Sequence, residues 1–125
     1  MNIPSKLYYT SEHEWLSLEG NLARIGITDF AQSELGDIIF IELNQVGDKF
    51  VKNDVIGTVE AVKTVADLFA PISGKITNIN KSLEEKPDLI NLSPYDDGWI
   101  LEVEIDDLNE LDGLLDETKY RDLIK

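Results

Sequence analysis

Cysteine is absent from this chain and histidine occurs once. The first absence excludes disulfide stapling, thiol nucleophiles and cysteine-ligated metals, so stability has to come from packing alone. The second reduces any Ser-His-acid arrangement to one built on His13, and no G-x-S-x-G elbow accompanies it. Also missing are G-x-x-x-x-G-K-[ST] and G-x-G-x-x-G, the loops that cradle phosphates and dinucleotides. Basic residues are few, 11 against 25 acidic ones, for a net charge of -14. Such a chain repels polyanions, which argues against nucleic acid and favours protein partners with basic docking surfaces. No apolar run nears the ~20 residues that span a bilayer, so no membrane association is expected. Met1 to Lys6 lacks the pattern of a signal or transit peptide, which makes a cytoplasmic location the expectation.

What is present reads as one β-rich domain over residues 1–125. Short β-branched runs separated by turn residues suggest strands at Trp15–Leu18, Leu22–Ile27, Ile38–Leu43, Val55–Val59, Leu68–Pro71, Lys75–Ile79 and Trp99–Ile105. A first helix starts with Thr28 or Asp29 as cap and stops at Gly36. Asp107 opens a short turn that ends at Gly113, and Asp116 opens a C-terminal helix containing Tyr120, Leu123 and Ile124. Lys86 to Gly98 reads as a loop with at most one helical turn. Acidity steepens toward the end, with 14 carboxylates against 4 basic residues from Glu84 onward.

Two segments carry candidate chemistry. In Glu12-His13-Glu14 an imidazole sits between carboxylates, but in a strand the two Glu side chains project opposite to His13. A shared metal is therefore awkward, and the segment reads as a polar strand edge leading into a buried Trp15. The other is Lys63, one of nine lysines, within Gly57-Thr58-Val59-Glu60-Ala61-Val62-Lys63-Thr64-Val65-Ala66-Asp67-Leu68. Val59, Val62, Ala66 and Phe69 fall on one face at helical spacing, whereas five β-branched residues from Thr58 to Val65 favour a hairpin. Residue physics leaves both open, because no Gly, Asn or Pro marks a turn between Glu60 and Asp67.

Glu60-Ala61-Val62-Lys63, followed by Ala66-Asp67 and Ala70-Pro71-x-Ser73-Gly74, resembles the lipoyl-attachment segment of glycine cleavage system H proteins. Tyr9-Thr10-Ser11-Glu12-His13-Glu14-Trp15 and Gly26-Ile27-Thr28-Asp29 through Gly36-Asp37 resemble that family's motifs in order and spacing. So does Leu89-Ile90-Asn91 through Gly98-Trp99, so the likeness covers essentially the whole chain. It implies a flattened β-barrel or sandwich of the lipoyl type, with short peripheral helices and a C-terminal helix. Lys63 would carry lipoate at an exposed hairpin tip, with Glu60 beside it; Glu14 would hold an ammonium in a cleft, with Ile27 and Asp67 as further cleft positions. A lysine stem plus lipoyl chain has about ten bonds of ~1.5 Å, a reach on the order of 14 Å.

The resemblance further implies a monomeric, non-catalytic carrier. Its partners would be a pyridoxal-phosphate-dependent glycine decarboxylase, a tetrahydrofolate-dependent aminomethyltransferase, dihydrolipoyl dehydrogenase and a lipoate-attaching enzyme. The carried cargo is the aminomethyl group of glycine. Departures from the family pattern include Ala61, where Ser is common, and the Thr64-Val65 pair. Phe30 and Glu34 stand where some members carry His, so an imidazole contact from that helix does not transfer. Two alternatives remain: an H-like protein that relays lipoate or serves another lipoate-dependent oxidation, and an unmodified acidic adaptor.

Overall fold

The computed structural model describes residues 1–125 and contains two antiparallel sheets. The larger has six strands in the order β1 (Tyr8–Tyr9), β2 (Glu14–Glu19), β3 (Leu22–Ile27), β9 (Leu101–Ile105), β8 (Gly74–Ile79) and β5 (Lys49–Phe50). The smaller has three, in the order β4 (Ile38–Leu43), β6 (Val55–Ala61) and β7 (Val65–Phe69). The sheets stay open and do not join into a closed barrel, so the architecture is the sandwich-like form of the expected class.

Alternation explains why the sheets face each other. Ile25, Ile76, Leu101 and Val103 of the large sheet and Ile38, Ile56, Val59 and Leu68 of the small one belong to a single cluster of 19 buried residues. Fully burying one such side chain is worth about 1.5–3 kcal/mol, enough to set strand register because a one-residue slip would turn the apolar set outward. β2 is buried on both faces. Leu16 joins the central cluster, while Trp15 joins Ile3, Tyr9 and Tyr120 in a smaller cluster on the other side of the sheet. Glu14 is two residues before Leu16, so it shares the inward face.

All seven strands read from the sequence are present, Leu22–Ile27 and Ile38–Leu43 with the expected bounds and the other five shifted by a few residues at one or both ends. Ala70 and Pro71 lie beyond β7, and the two-residue strands β1 and β5 were too short to show a pattern. A register shift between Ile38 and Phe40 breaks the alternation expected of β4, leaving Ile39 and Phe40 both exposed.

Helices are short and peripheral: α1 (Asp29–Leu35), α2 (Ser82–Glu85), α3 (Leu89–Leu92), a 3₁₀ turn at Leu108–Gly113 and α4 (Glu117–Ile124). Thr28 rather than Asp29 caps α1, its hydroxyl accepting from the Ala31 N–H at 3.1 Å. Asp107 and Asp116 cap the last two elements as their sequence positions suggested. Lys86 to Gly98 holds one helical turn, α3, whereas α2 just before it carried no readable signal. No helix is long and apolar enough to cross a membrane.

α3 and the segment after it brace the first helix against the sheets. Asn91 accepts from the Ile38 N–H at 2.9 Å and donates to the Gly36 carbonyl at 2.8 Å, tying the end of α1 to the start of β4. Trp15 donates its indole N–H to the Pro94 carbonyl at 3.0 Å and lies over Gly26, where an added Cβ would stand 2.7 Å from the ring. Gly26→Ala is therefore expected to lower stability by about 2 kcal/mol through overpacking, read as a lower urea midpoint at unchanged m-value.

Candidate functional site

Residues 59–69 form a hairpin and not a helix. Thr58 pairs with Asp67, Val59 with Ala66 and Glu60 with Val65, which leaves Val62, Lys63 and Thr64 at the tip. The Ala61 N–H donates to the Thr64 carbonyl at 2.8 Å, and the Val62 N–H donates to the Asp37 carbonyl at 3.1 Å. These two bonds hold a turn that has no glycine, asparagine or proline of its own. Lys63 is exposed, and the two ion pairs of the structure, Arg24–Glu102 and Arg121–Glu117, leave its ammonium unpaired. Its Nζ is thus free to meet another protein.

At the base of the hairpin lies a cleft of about 490 Å³. β7 is the free edge of the small sheet and lends it Ala66, Asp67 and Phe69. Glu14 and Ile27, paired across β2 and β3, form the opposite wall. Phe30, Ala31, Glu34 and Leu35 close a third side, at the i, i+1, i+4, i+5 spacing of one face of α1. Ala66 follows Lys63 by three positions, roughly 10 Å along an extended chain.

Glu14 is only 2% exposed. Its carboxyl accepts from the Thr10 hydroxyl and, at 3.2 Å, from the Phe69 N–H, so it bridges the two sheets. Burial away from water pushes its pKa up to about 7, outweighing the hydrogen bonds that favour the carboxylate. At neutral pH this group is poised between neutral and charged.

His13 departs from the sequence reading. Its φ is +72°, so it is not part of a regular strand, and its ring turns into the same cleft as Glu14 instead of pointing away from it. The expectation failed because strand alternation was applied from Glu12, whereas β2 begins at Glu14. No three or more His, Cys, Asp or Glu side chains are grouped to hold a metal.

The structure brings Glu14, Ile27 and Asp67 together in the cleft. Glu60 is exposed on β6, paired with Phe40 and Val65 near the tip and outside the cleft lining. His13, Phe30, Glu34 and Phe69 line the cleft without having been singled out for it. The resemblance had placed Phe30 and Glu34 where some members carry an arm-contacting His, but periodicity alone did not indicate what that helix face would cover.

The family model for the glycine cleavage H-protein matches residues 7–125. The chain belongs to the glycine cleavage H-protein family. It is similar to the glycine cleavage system H protein of Anoxybacillus flavithermus, 52% identical over 124 residues that cover 99% of this chain and 98% of that one. The corresponding protein of a Geobacillus species is 50% identical over 125 residues, with 100% of this chain and 98% of the relative covered. A crystal structure of a glycine cleavage system H protein from Mycobacterium marinum superposes with a TM-score of 0.88 at 36% identity, covering 96% of this chain and 97% of that one. Membership makes this H protein the lipoyl carrier of the glycine cleavage system.

Proposed function

We propose that this H protein acts as a single carrier domain over residues 1–125, bears lipoate in amide linkage on Lys63, and catalyses no step itself. One observation carries the reading: an unpaired, exposed lysine tops a hairpin whose base lines a cleft containing a buried carboxyl. The donor chemistry fits, since a primary amine forms a stable amide whereas a guanidinium is a poor acyl acceptor. When bound, the lipoyl group supplies a disulfide that accepts a one-carbon amine cargo and returns as a dithiol.

The chain's own side chains supply placement and shelter. The bonded tip holds the base of the arm, and a reach on the order of 14 Å exceeds the roughly 10 Å of strand leading back to the cleft. Val59, Ala66 and Phe69 exclude water there, which protects a hydrolysable cargo. Glu14 receives the cargo's ammonium in a charge-assisted hydrogen bond, and its proton leaves as the cation enters. Asp67 adds negative charge to the cleft, and Ile27 packs the wall behind Glu14. Glu60, outside the cleft and near the tip, suits recognition by a lipoate-attaching enzyme.

The partners follow from the pathway. They are the pyridoxal-phosphate-dependent decarboxylase that loads the arm, the tetrahydrofolate-dependent aminomethyltransferase that unloads it, and dihydrolipoyl dehydrogenase, which reoxidises it. The chain serves as a monomer in the cytoplasm. Lipoylated chain supplied to the decarboxylase is expected to support glycine-dependent exchange of labelled bicarbonate. A fully lipoylated chain that supports no exchange would overturn the glycine reading in favour of lipoate relay.

A further inference from the structure

His13 is a cleft residue whose polar chemistry the carrier reading leaves unused. In a regular strand consecutive side chains leave opposite faces. The left-handed backbone at His13, φ +72°, breaks that rule and lets His13 and Glu14 line one cleft although they are neighbours in the chain. Few residues other than glycine adopt this conformation, histidine among the more tolerant. Here it is fixed by the His13 N–H donating to the Thr10 carbonyl at 3.1 Å and the Thr28 N–H donating to the His13 carbonyl at 3.0 Å.

The ring is held as firmly as the backbone. Phe30 packs against it at 4.9 Å between centroids, and Tyr120 of α4 meets it edge-on at 5.8 Å. His13 Nδ1 lies 2.9 Å from the Tyr120 hydroxyl, which lies 2.7 Å from the Thr28 hydroxyl. Thr28 is fully buried, and its oxygen already accepts from the Ala31 N–H. Its hydrogen therefore has one acceptor, the Tyr120 oxygen, and Tyr120 must pass its own hydrogen to Nδ1. The neutral ring then carries its hydrogen on Nε2, the one ring nitrogen without a partner in the protein.

We propose that His13 is a binding residue of the cleft, donating from Nε2–H to an acceptor atom of the arm beside the ammonium that Glu14 receives, and that Tyr120 is the positioning residue that sets this tautomer. The assignment rests on the carrier reading. Neighbouring atoms of a small ligand call for neighbouring groups, and two consecutive residues with opposite hydrogen-bonding roles provide them. The relay also has an electrostatic use. By occupying Nδ1 it resists formation of an imidazolium, which would repel a cationic cargo. Burial holds the His13 pKa below its ordinary value against the opposing pull of Glu12 and Glu34; Glu14 and Asp67 line the same cleft, and Tyr120 is neutral.

The lone histidine makes the test clean, because a ¹⁵N-labelled full-length chain shows one imidazole. Wild type, at a pH above its titration midpoint, is expected to give a bare, accepting Nδ1 and a protonated Nε2. Tyr120→Phe keeps the stack on Tyr9, 4.8 Å between centroids, and removes only the hydroxyl. It should release the ring to a tautomer mixture and raise its titration midpoint, which lost packing alone would not do. In the loaded chain, His13→Ala should shorten cargo lifetime about fivefold, the worth of one hydrogen bond. His13→Gln, with an amide N–H at similar reach, should recover most of it. A protonated Nδ1 in wild type, an unchanged imidazole in Tyr120→Phe, or equal lifetimes in wild type and His13→Ala would each overturn the assignment. Intact mass separates the two readings. A chain that takes no lipoyl group fails as a carrier while its imidazole spectrum still judges the relay, and a loaded chain with unmoved lifetimes fails only at His13.

Discussion

Lys63→Arg is expected to abolish lipoylation completely while leaving the fold intact. The substitution keeps a positive charge at an exposed tip position, where changes normally move stability by no more than about 0.5 kcal/mol. What it removes is an acylatable amine. Intact mass after incubation with a lipoate ligase should show one lipoyl-sized increment on wild type and none on the variant. Glycine-dependent bicarbonate exchange should fall to the level without added chain. A lipoyl increment on the variant would mean that another of the nine lysines carries the group. No increment on wild type would instead support the unmodified adaptor.

The second large effect concerns Glu14 and pH. Its carboxyl is raised from an ordinary 4.5 to about 7 in the folded chain, so between those values the native state holds a proton that the unfolded state has lost. Stability contributed by this group is therefore complete below about pH 4.5 and falls as pH rises to about 7, by on the order of 3 kcal/mol. Glu14→Gln removes the titration, since an amide stays neutral. Whatever constant offset the amide introduces, the variant should gain on wild type by on the order of 3 kcal/mol between pH 4.5 and pH 8. Urea denaturation of both chains at the two pH values measures the difference, and a stability gap that does not change with pH would show that Glu14 titrates normally. The same variant, unable to become an anion, should lose its cargo sooner at pH 8. Stability and function thus pull in opposite directions at this residue: the fold favours the neutral acid, and the cargo favours the carboxylate.

Legibility in the sequence varied with how local each feature was. The strands of the main core were readable because alternation over five or six residues is a local property. The cap at Asp116 was readable for the same reason, a short polar side chain placed just before a helical run. The two-residue strands β1 and β5 are shorter than the period needed to recognise them. α2 is a single turn with no capping side chain. The hairpin at Lys63 lacks a turn residue, and its bend is supported from outside by the Asp37 carbonyl. Its β-branched residues leaned toward a hairpin, and the likeness to H proteins decided it over a helix.

The cleft was less legible than the strands. Glu14 and Ile27 lie on adjacent strands, but Phe69 reaches Glu14 from 55 residues away and Tyr120 reaches His13 from 107 away. His13 was misread because its left-handed backbone is held by Thr10 and Thr28, and no propensity at the residue itself records that.

The amino-acid sequence by itself determined that the chain is β-rich, acidic, without thiol chemistry, and equipped with an acylatable lysine in an H-protein setting. Composition, period-two patterning and motif order are written in one dimension and need no folding to be read. Tertiary structure decided that the lysine tops a hairpin, that Glu14 is buried enough to hold its proton near neutral pH, and that His13 turns toward it. Those outcomes depend on dielectric and on hydrogen-bond partners, which exist only once distant strands and the last helix have closed around the cleft.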